Sequence, residues 1–287
     1  MFVVTGSTGK VGGIVAGTLL EAGLPVRAIV RDADKGAAWK ARGCAVAVVP
    51  DATDAEALAA AFAGAAGVFL MSPPNYDQAP DLKESRRAAA AAAQAIGKAA
   101  PGRVVLLSTV GAQATAFNLL NWAGFYETAL ADTGLPVAML RAAWFMENAA
   151  WDLPAARGGR IGSYLQPVDR AIEMVSTHDV GRTAADLLRE DWTGTRNIEL
   201  SGPRTYSPND EAAGFAAALG RFVEAVAIPR GTWEARFRAE GMRHPEARIA
   251  MLDGFNEGWI DFACEGAEHR TGTVTFEAVL RHIVERG

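Results

Sequence analysis

The chain of 287 residues holds only two cysteines, Cys44 and Cys264, and neither sits in a ligand or redox motif. That excludes a disulfide framework and a zinc knuckle, and it fits a reducing cytoplasm. The four histidines, His178, His244, His269 and His282, form no HxxxH or HExxH pair, so no metal site is expected. No apolar run reaches the roughly 18 residues that a membrane span needs. No basic run exceeds Arg86–Arg87 and the net charge is −5, which argues against a nucleic-acid partner. Met1 leads straight into Phe2-Val3-Val4, without the basic region, apolar stretch and cleavage site of a secretory leader. A cytoplasmic protein is therefore expected. The G-x-S-x-G elbow of an α/β-hydrolase is also missing.

What is present is apolar substance, at 50% of the residues with 21% charged, enough for a large core. Short apolar runs alternate with helical stretches from Phe2 to Leu140. Strands are expected at Phe2–Thr5, Val26–Val30, Ala45–Val49, Gly67–Met71, Arg103–Leu107 and Val137–Leu140. Helices are expected at Lys10–Glu21, Asp34–Arg42 capped by Asp34, Asp54–Phe62, Pro80–Ala99 and Leu120–Ala131. Strands that are apolar throughout are covered on both faces, so the order implies an α/β fold with a doubly wound parallel sheet. Residues 1–150 would form the nucleotide-binding part, with strands returning from about 170–200. Residues 151–287 would be mainly a smaller α+β substrate region. A helix at Val180–Arg189 capped by Asp179 or Thr177, a strand at Asn197–Leu200 and a helix at Ser207–Arg221 are expected there.

Gly6, Ser7, Thr8, Gly9, Lys10, Val11 and Gly12 lie between the first strand and first helix. Gly6 serves the tight turn, Gly9 the approach of a pyrophosphate, and Gly12 the close packing of helix on sheet. The helix N-terminus then offers free N–H groups to phosphate. After the second strand stands Arg31, with Lys35 one turn on. An arginine there accommodates the 2′-phosphate of NADP, where a carboxylate would bind the 2′-hydroxyl of NAD. Asp32 would supply that carboxylate if the strand ran one residue longer; NADP(H) is favoured over NAD(H). Other cofactor contacts are expected at strand ends: Asp51 and Ala52, Met71, Ser72 and Pro73, and Ser108, Thr109 and Val110.

These segments resemble the NmrA-like, atypical short-chain dehydrogenase/reductase family. The resemblance is carried by Thr5–Gly12 (TGSTGKVG), Ala28–Lys35 (AIVRDADK), Leu106–Gly111 (LLSTVG), Leu135–Asn148 (LPVAMLRAAWFMEN), Val175–Val180 (VSTHDV) and Leu200–Tyr206 (LSGPRTY). It covers most of the chain and is weakest after about residue 230. It implies a Rossmann domain, a small C-terminal substrate domain, and NADP(H) in the cleft between them. It also implies either a reductase of the quinone oxidoreductase or triphenylmethane reductase type, or a non-catalytic NADP(H) sensor that binds a partner protein.

The Tyr-x-x-x-Lys pair of ordinary short-chain dehydrogenases is missing. Tyr76, Tyr126, Tyr164 and Tyr206 are followed four residues on by Pro80, Leu130, Val168 and Asp210. Some relatives keep a lysine in the helix before the sixth strand; the matching position is Ala123. Tyr126 remains a candidate proton donor, with a packed aromatic as the alternative. Trp122, Tyr126, Trp144 and Phe145, with Asn148 beyond them, fall in one window near the fifth and sixth strand ends. They suggest a flat apolar substrate such as a quinone, which accepts hydride without a Tyr–Lys pair. Ordinary core or a homodimer contact is the alternative reading of that window.

Overall fold

The computed structural model describes residues 1–262 and 265–287, so Cys264 lies outside the described residues. The first half runs β1 (Phe2–Val4), α1 (Lys10–Glu21), β2 (Val26–Val30), α2 (Ala33–Ala41), β3 (Ala45–Val48), α3 (Ala55–Phe62) and β4 (Gly67–Met71). It continues through α4 (Lys83–Ala99), β5 (Val104–Thr109), α5 (Asn121–Ala131), β6 (Val137–Ala142) and β7 (Trp144–Phe145). The second half holds α6 (Leu153–Arg157), β8 (Arg160–Ser163), β9 (Ile172–Val175), α7 (Thr177–Leu187), β10 (Thr195–Ser201) and β11 (Thr205–Tyr206). It closes with α8 (Pro208–Leu219), β12 (Glu224–Ala227), α9 (Trp233–Ala239), α10 (Glu246–Glu257), β13 (Glu268–Thr271) and α11 (Phe276–Arg286).

Eight strands form one sheet in the order β13-β10-β6-β5-β4-β1-β2-β3, and every pairing in it is parallel. The order reverses between β1 and β4, which opens a crevice at the carboxyl ends of the strands. Alternate side chains go to opposite faces. Val4, Phe69, Leu107 and Leu140 pack against α1 and α7, while Val3, Leu70, Leu106 and Met139 pack against α3, α4 and α5. A third core, with Trp233, Phe237, Phe215, Phe255 and Phe276, joins α8 to α11 with the small strand pairs β8–β12 and β7–β9–β11.

Several boundaries differ from expectation for local reasons. Asp32, not Asp34, caps α2, because its carboxylate accepts the Asp34 N–H at 3.0 Å. Helix α4 begins at Lys83 rather than Pro80, because the buried Leu82 takes φ 50° and no helix can run through it. Helix α7 begins at Thr177. Ser176 caps it, leaving Thr177 as the first helical residue and freeing the Asp179 carboxylate for the Val274 N–H at 2.9 Å. Strands β5 and β6 each run two residues beyond the expected ends, so Ser108 and Thr109 lie inside β5.

Candidate functional site

The glycine loop leaves β1 at Gly6, whose φ is +60°. A Cβ there would collide with the Met71 side chain. At Gly12 a Cβ would lie 2.6 Å from the Gly6 carbonyl carbon and 2.7 Å from the Thr5 oxygen, so helix α1 reaches the sheet only because this residue has no side chain. At Gly9 an added Cβ meets only the Gly6 oxygen, at 3.3 Å. The open space over Gly9, together with the unpaired N–H groups opening α1, suits a pyrophosphate. Ser7 turns away: its buried hydroxyl donates to the Ile29 carbonyl at 3.1 Å and ties the loop to β2. Thr8 and Lys10 are exposed, and the Lys10 ammonium reaches the Glu147 carbonyl at 3.5 Å, across the cleft.

Arg31 and Lys35 are exposed at the end of β2, and their side chains have no hydrogen-bond or ion-pair partner among the described residues. Asp32 spends its carboxylate on the cap of α2, so the two cations are what this tip offers a ligand. A cavity of about 210 Å³ lies beyond β3 and β4, lined by Ala52, Thr53, Ser72, Pro73, Asn75 and Arg87 among others. Asp51 turns back to Thr53, accepting its N–H and its hydroxyl, both at 2.8 Å. Those bonds hold the Asp51 carboxyl below its ordinary pKa.

Tyr126 is buried at 2% exposure between α5 and the sheet, edge-on to Trp122 at 6.1 Å. Its hydroxyl still reaches Ser72 beyond the end of β4, and burial pushes its pKa above the phenolic value. Ala123 is fully buried, so no cation substitutes for the missing lysine at that position. The expected aromatic window is divided among three cores. Trp122 packs with Tyr126 on the α4–α5 side, Phe145 on the α1–α7 side, and Trp144 in the C-terminal core, edge-on to Phe255 at 5.2 Å. Asn148 is half-buried in the short 3₁₀ turn after β7.

Residues beyond the sequence reading complete the crest. Ser108 donates to Glu127 at 2.5 Å, and Arg141 grips the same carboxylate with two bonds at 2.9 and 2.6 Å. The Arg141 guanidinium is only 6% exposed, and such a buried, bidentate pair fixes α5 on the ends of β5 and β6. An arginine closing the apolar run Val137–Leu140 was the sequence signal for that partner. Beside it, Val110, Ile172, Phe255 and Ile260 line a second cavity of about 120 Å³, whose polar wall is Arg170, Glu173, Thr205 and Asp261.

The geometry assembled so far is an open glycine loop with two exposed cations at the tip of β2, and a cavity with one apolar and one polar wall. A model of a family described as NAD(P)H-binding matches residues 6–191. The chain belongs to that NAD(P)H-binding family, among its NmrA-like reductases. It is 29% identical over 259 residues to an NAD(P)H azoreductase of Xenophilus azovorans, covering 90% of this chain and 85% of that one. It is 27% identical over 257 residues to quinone oxidoreductase 2 of Escherichia coli, covering 88% and 85%. Triphenylmethane reductase of Citrobacter superposes with a TM-score of 0.82 at 20% identity over 99% of both chains, and shares the fold. The chain is thus an NAD(P)H-dependent oxidoreductase. Among the described residues no helix is long and apolar enough to cross a membrane, and no cluster of three or more His, Cys, Asp or Glu could hold a metal.

Proposed function

We propose that this oxidoreductase uses NADPH and passes hydride to a flat, conjugated small molecule such as a quinone, without a Tyr-x-x-x-Lys pair. The observation that carries the reading is the cavity against the end of β5, where apolar side chains face a polar wall of Arg170, Glu173, Thr205 and Asp261. Its apolar side is Val110, Ile172, Phe255 and Ile260, and Trp144 meets Phe255 edge-on. A volume of about 120 Å³ is close to the roughly 150 Å³ that holds one benzene ring. The names of the azoreductase and the quinone oxidoreductase point to acceptors of that shape.

In this reading the loop from Gly6 through Thr8 and Gly9 receives the pyrophosphate with the first amides of α1, Lys10 and Val11, while Gly12 lets that helix sit close to the sheet. Arg31 and Lys35 hold the 2′-phosphate. Ala52, Thr53, Ser72 and Pro73 wall the adenosine side, with Asp51 shaping the loop and Met71 backing Gly6. Ser108, Thr109 and Val110 border the nicotinamide, which supplies the hydride when bound. Trp144 supports the acceptor site through Phe255, Phe145 and Asn148 belong to the segment that carries Trp144, and residues 151–287 form most of the enclosure. Tyr126 contributes packing. Protein groups would act by positioning and by excluding water.

NADPH oxidation followed at its absorbance band, with a panel of quinones and simple aliphatic ketones, tests this. Turnover with quinones and near-inactivity with ketones is the expected pattern. Tight NADPH binding without oxidation by any acceptor would instead favour a non-catalytic sensor.

A further inference from the structure

We propose that Glu173 is the proton donor of this reduction. The inference rests on the cavity beside Val110 being the acceptor site. Reducing a carbonyl-type acceptor needs a proton as well as hydride, and the usual source is incomplete here: Ala123 stands where a lysine would be, and the buried Tyr126 gives its hydroxyl to Ser72 on the side of the other cavity. Strand β9 supplies an alternative. Its Glu173 stands next to Ile172 and lines the same cavity, with Val110, Phe255 and Ile260 on the facing walls. Pairing of Trp144 with Met174 ties that strand to the segment leaving β6, close to the strand ends where the cofactor crevice opens.

The carboxyl has no hydrogen-bond or ion-pair partner among the described residues. Two charged groups share its cavity. Arg170 is turned aside, donating to the Asn256 carbonyl, and Asp261 faces the same space. Burial, with the Asp261 charge second, raises the Glu173 pKa above the ordinary glutamate value. A carboxylic acid held protonated closer to neutrality is what general-acid catalysis needs.

When hydride adds to a quinone, an electron pair settles on a ring oxygen. The Glu173 O–H bond breaks, and its proton bonds to that oxygen and completes the hydroquinone. The carboxylate then takes a proton from water, so each turnover consumes one NADPH, one quinone and one solvent proton.

Single-turnover NADPH oxidation with a quinone, from about pH 5 to about pH 9, tests the assignment in the parent, Glu173→Gln and Glu173→Asp. The parent rate should fall on the alkaline side. Glu173→Gln should lose tenfold or more near pH 6 and lose that pH dependence, with NADPH affinity unchanged, and Glu173→Asp should recover part of the rate. Independently of turnover, infrared titration of the cofactor-free chain should contain one carboxyl titrating above the ordinary glutamate range that Glu173→Gln removes. An unchanged rate and pH profile in Glu173→Gln, or no such carboxyl, would overturn the proposal. A parent inactive with every quinone would instead defeat the acceptor reading on which it stands.

Discussion

Gly9 and Gly12 should fail in different ways when given a side chain. At Gly9 an added Cβ meets one backbone oxygen at 3.3 Å, whereas at Gly12 it is driven into backbone at 2.6 and 2.7 Å. Gly9→Val should therefore fold and lose cofactor binding, by circular dichroism and nucleotide titration on one sample. Gly12→Val should lower the melting temperature as well. At the tip of β2, with Asp32 committed to its helix, NADPH should bind at least tenfold more tightly than NADH, about 1.4 kcal/mol. Arg31→Glu should remove most of that preference in the same titration. Tyr126→Phe should keep quinone reduction within about tenfold, a barrier change of roughly 1.4 kcal/mol at most. Trp144→Ala should cost more, because Phe255 loses its brace. The glycine loop and the tip of β2 are legible as candidates because their residues stand side by side in the chain, whereas Trp144 meets Phe255 only through the fold. The Ser108–Glu127–Arg141 network was not, since nothing local says that a serine of β5 and an arginine of β6 will share one carboxylate of the helix between them.

Helices and strands were read well where the pattern is strong and less well where caps compete. Ser176, Thr177 and Asp179 could each have opened α7, and the choice turned on the distant Val274 claiming the aspartate. Strand β13 was invisible because its sequence, Glu268-His269-Arg270-Thr271, is that of a charged edge and carries no apolar signal. The contact of α6 with α8 carries its own prediction. Asp152 and Glu211 share a hydrogen bond there; burial lifts Asp152 to about 6 and, with the Asp152 charge, lifts Glu211 well above its ordinary value. Both folded-state values lie above the unfolded ones. Their contribution is therefore fully present at low pH and is lost as pH rises through the folded values. The melting temperature should decline from about pH 5 to about pH 8, and Glu211→Gln should flatten most of that decline. A steeper decline in the variant would contradict the pairing.

For the molecule as a whole, the sheet and the C-terminal core are not separable along the chain. Strand β10 enters the large sheet between β6 and β13, while α8, immediately after β11, belongs to the C-terminal core. Calorimetry should accordingly give one unfolding transition. Ending the chain before Glu268 should abolish it, since β10 loses its outer neighbour and α8 loses α11. That edge position has a further consequence, in the order of synthesis. Every other strand of the large sheet is complete once Ser201 has been made, but the outer edge of β10 stays open until β13 has been added through Thr271. At ribosomal speeds that interval lasts seconds rather than milliseconds. Throughout it, the nascent chain displays an unpaired edge carrying Ile198 and Leu200, the kind of surface that recruits a neighbouring strand from another molecule. Yield in the cell should thus depend on translation rate between Ser201 and Thr271 more than on the stability of the finished protein.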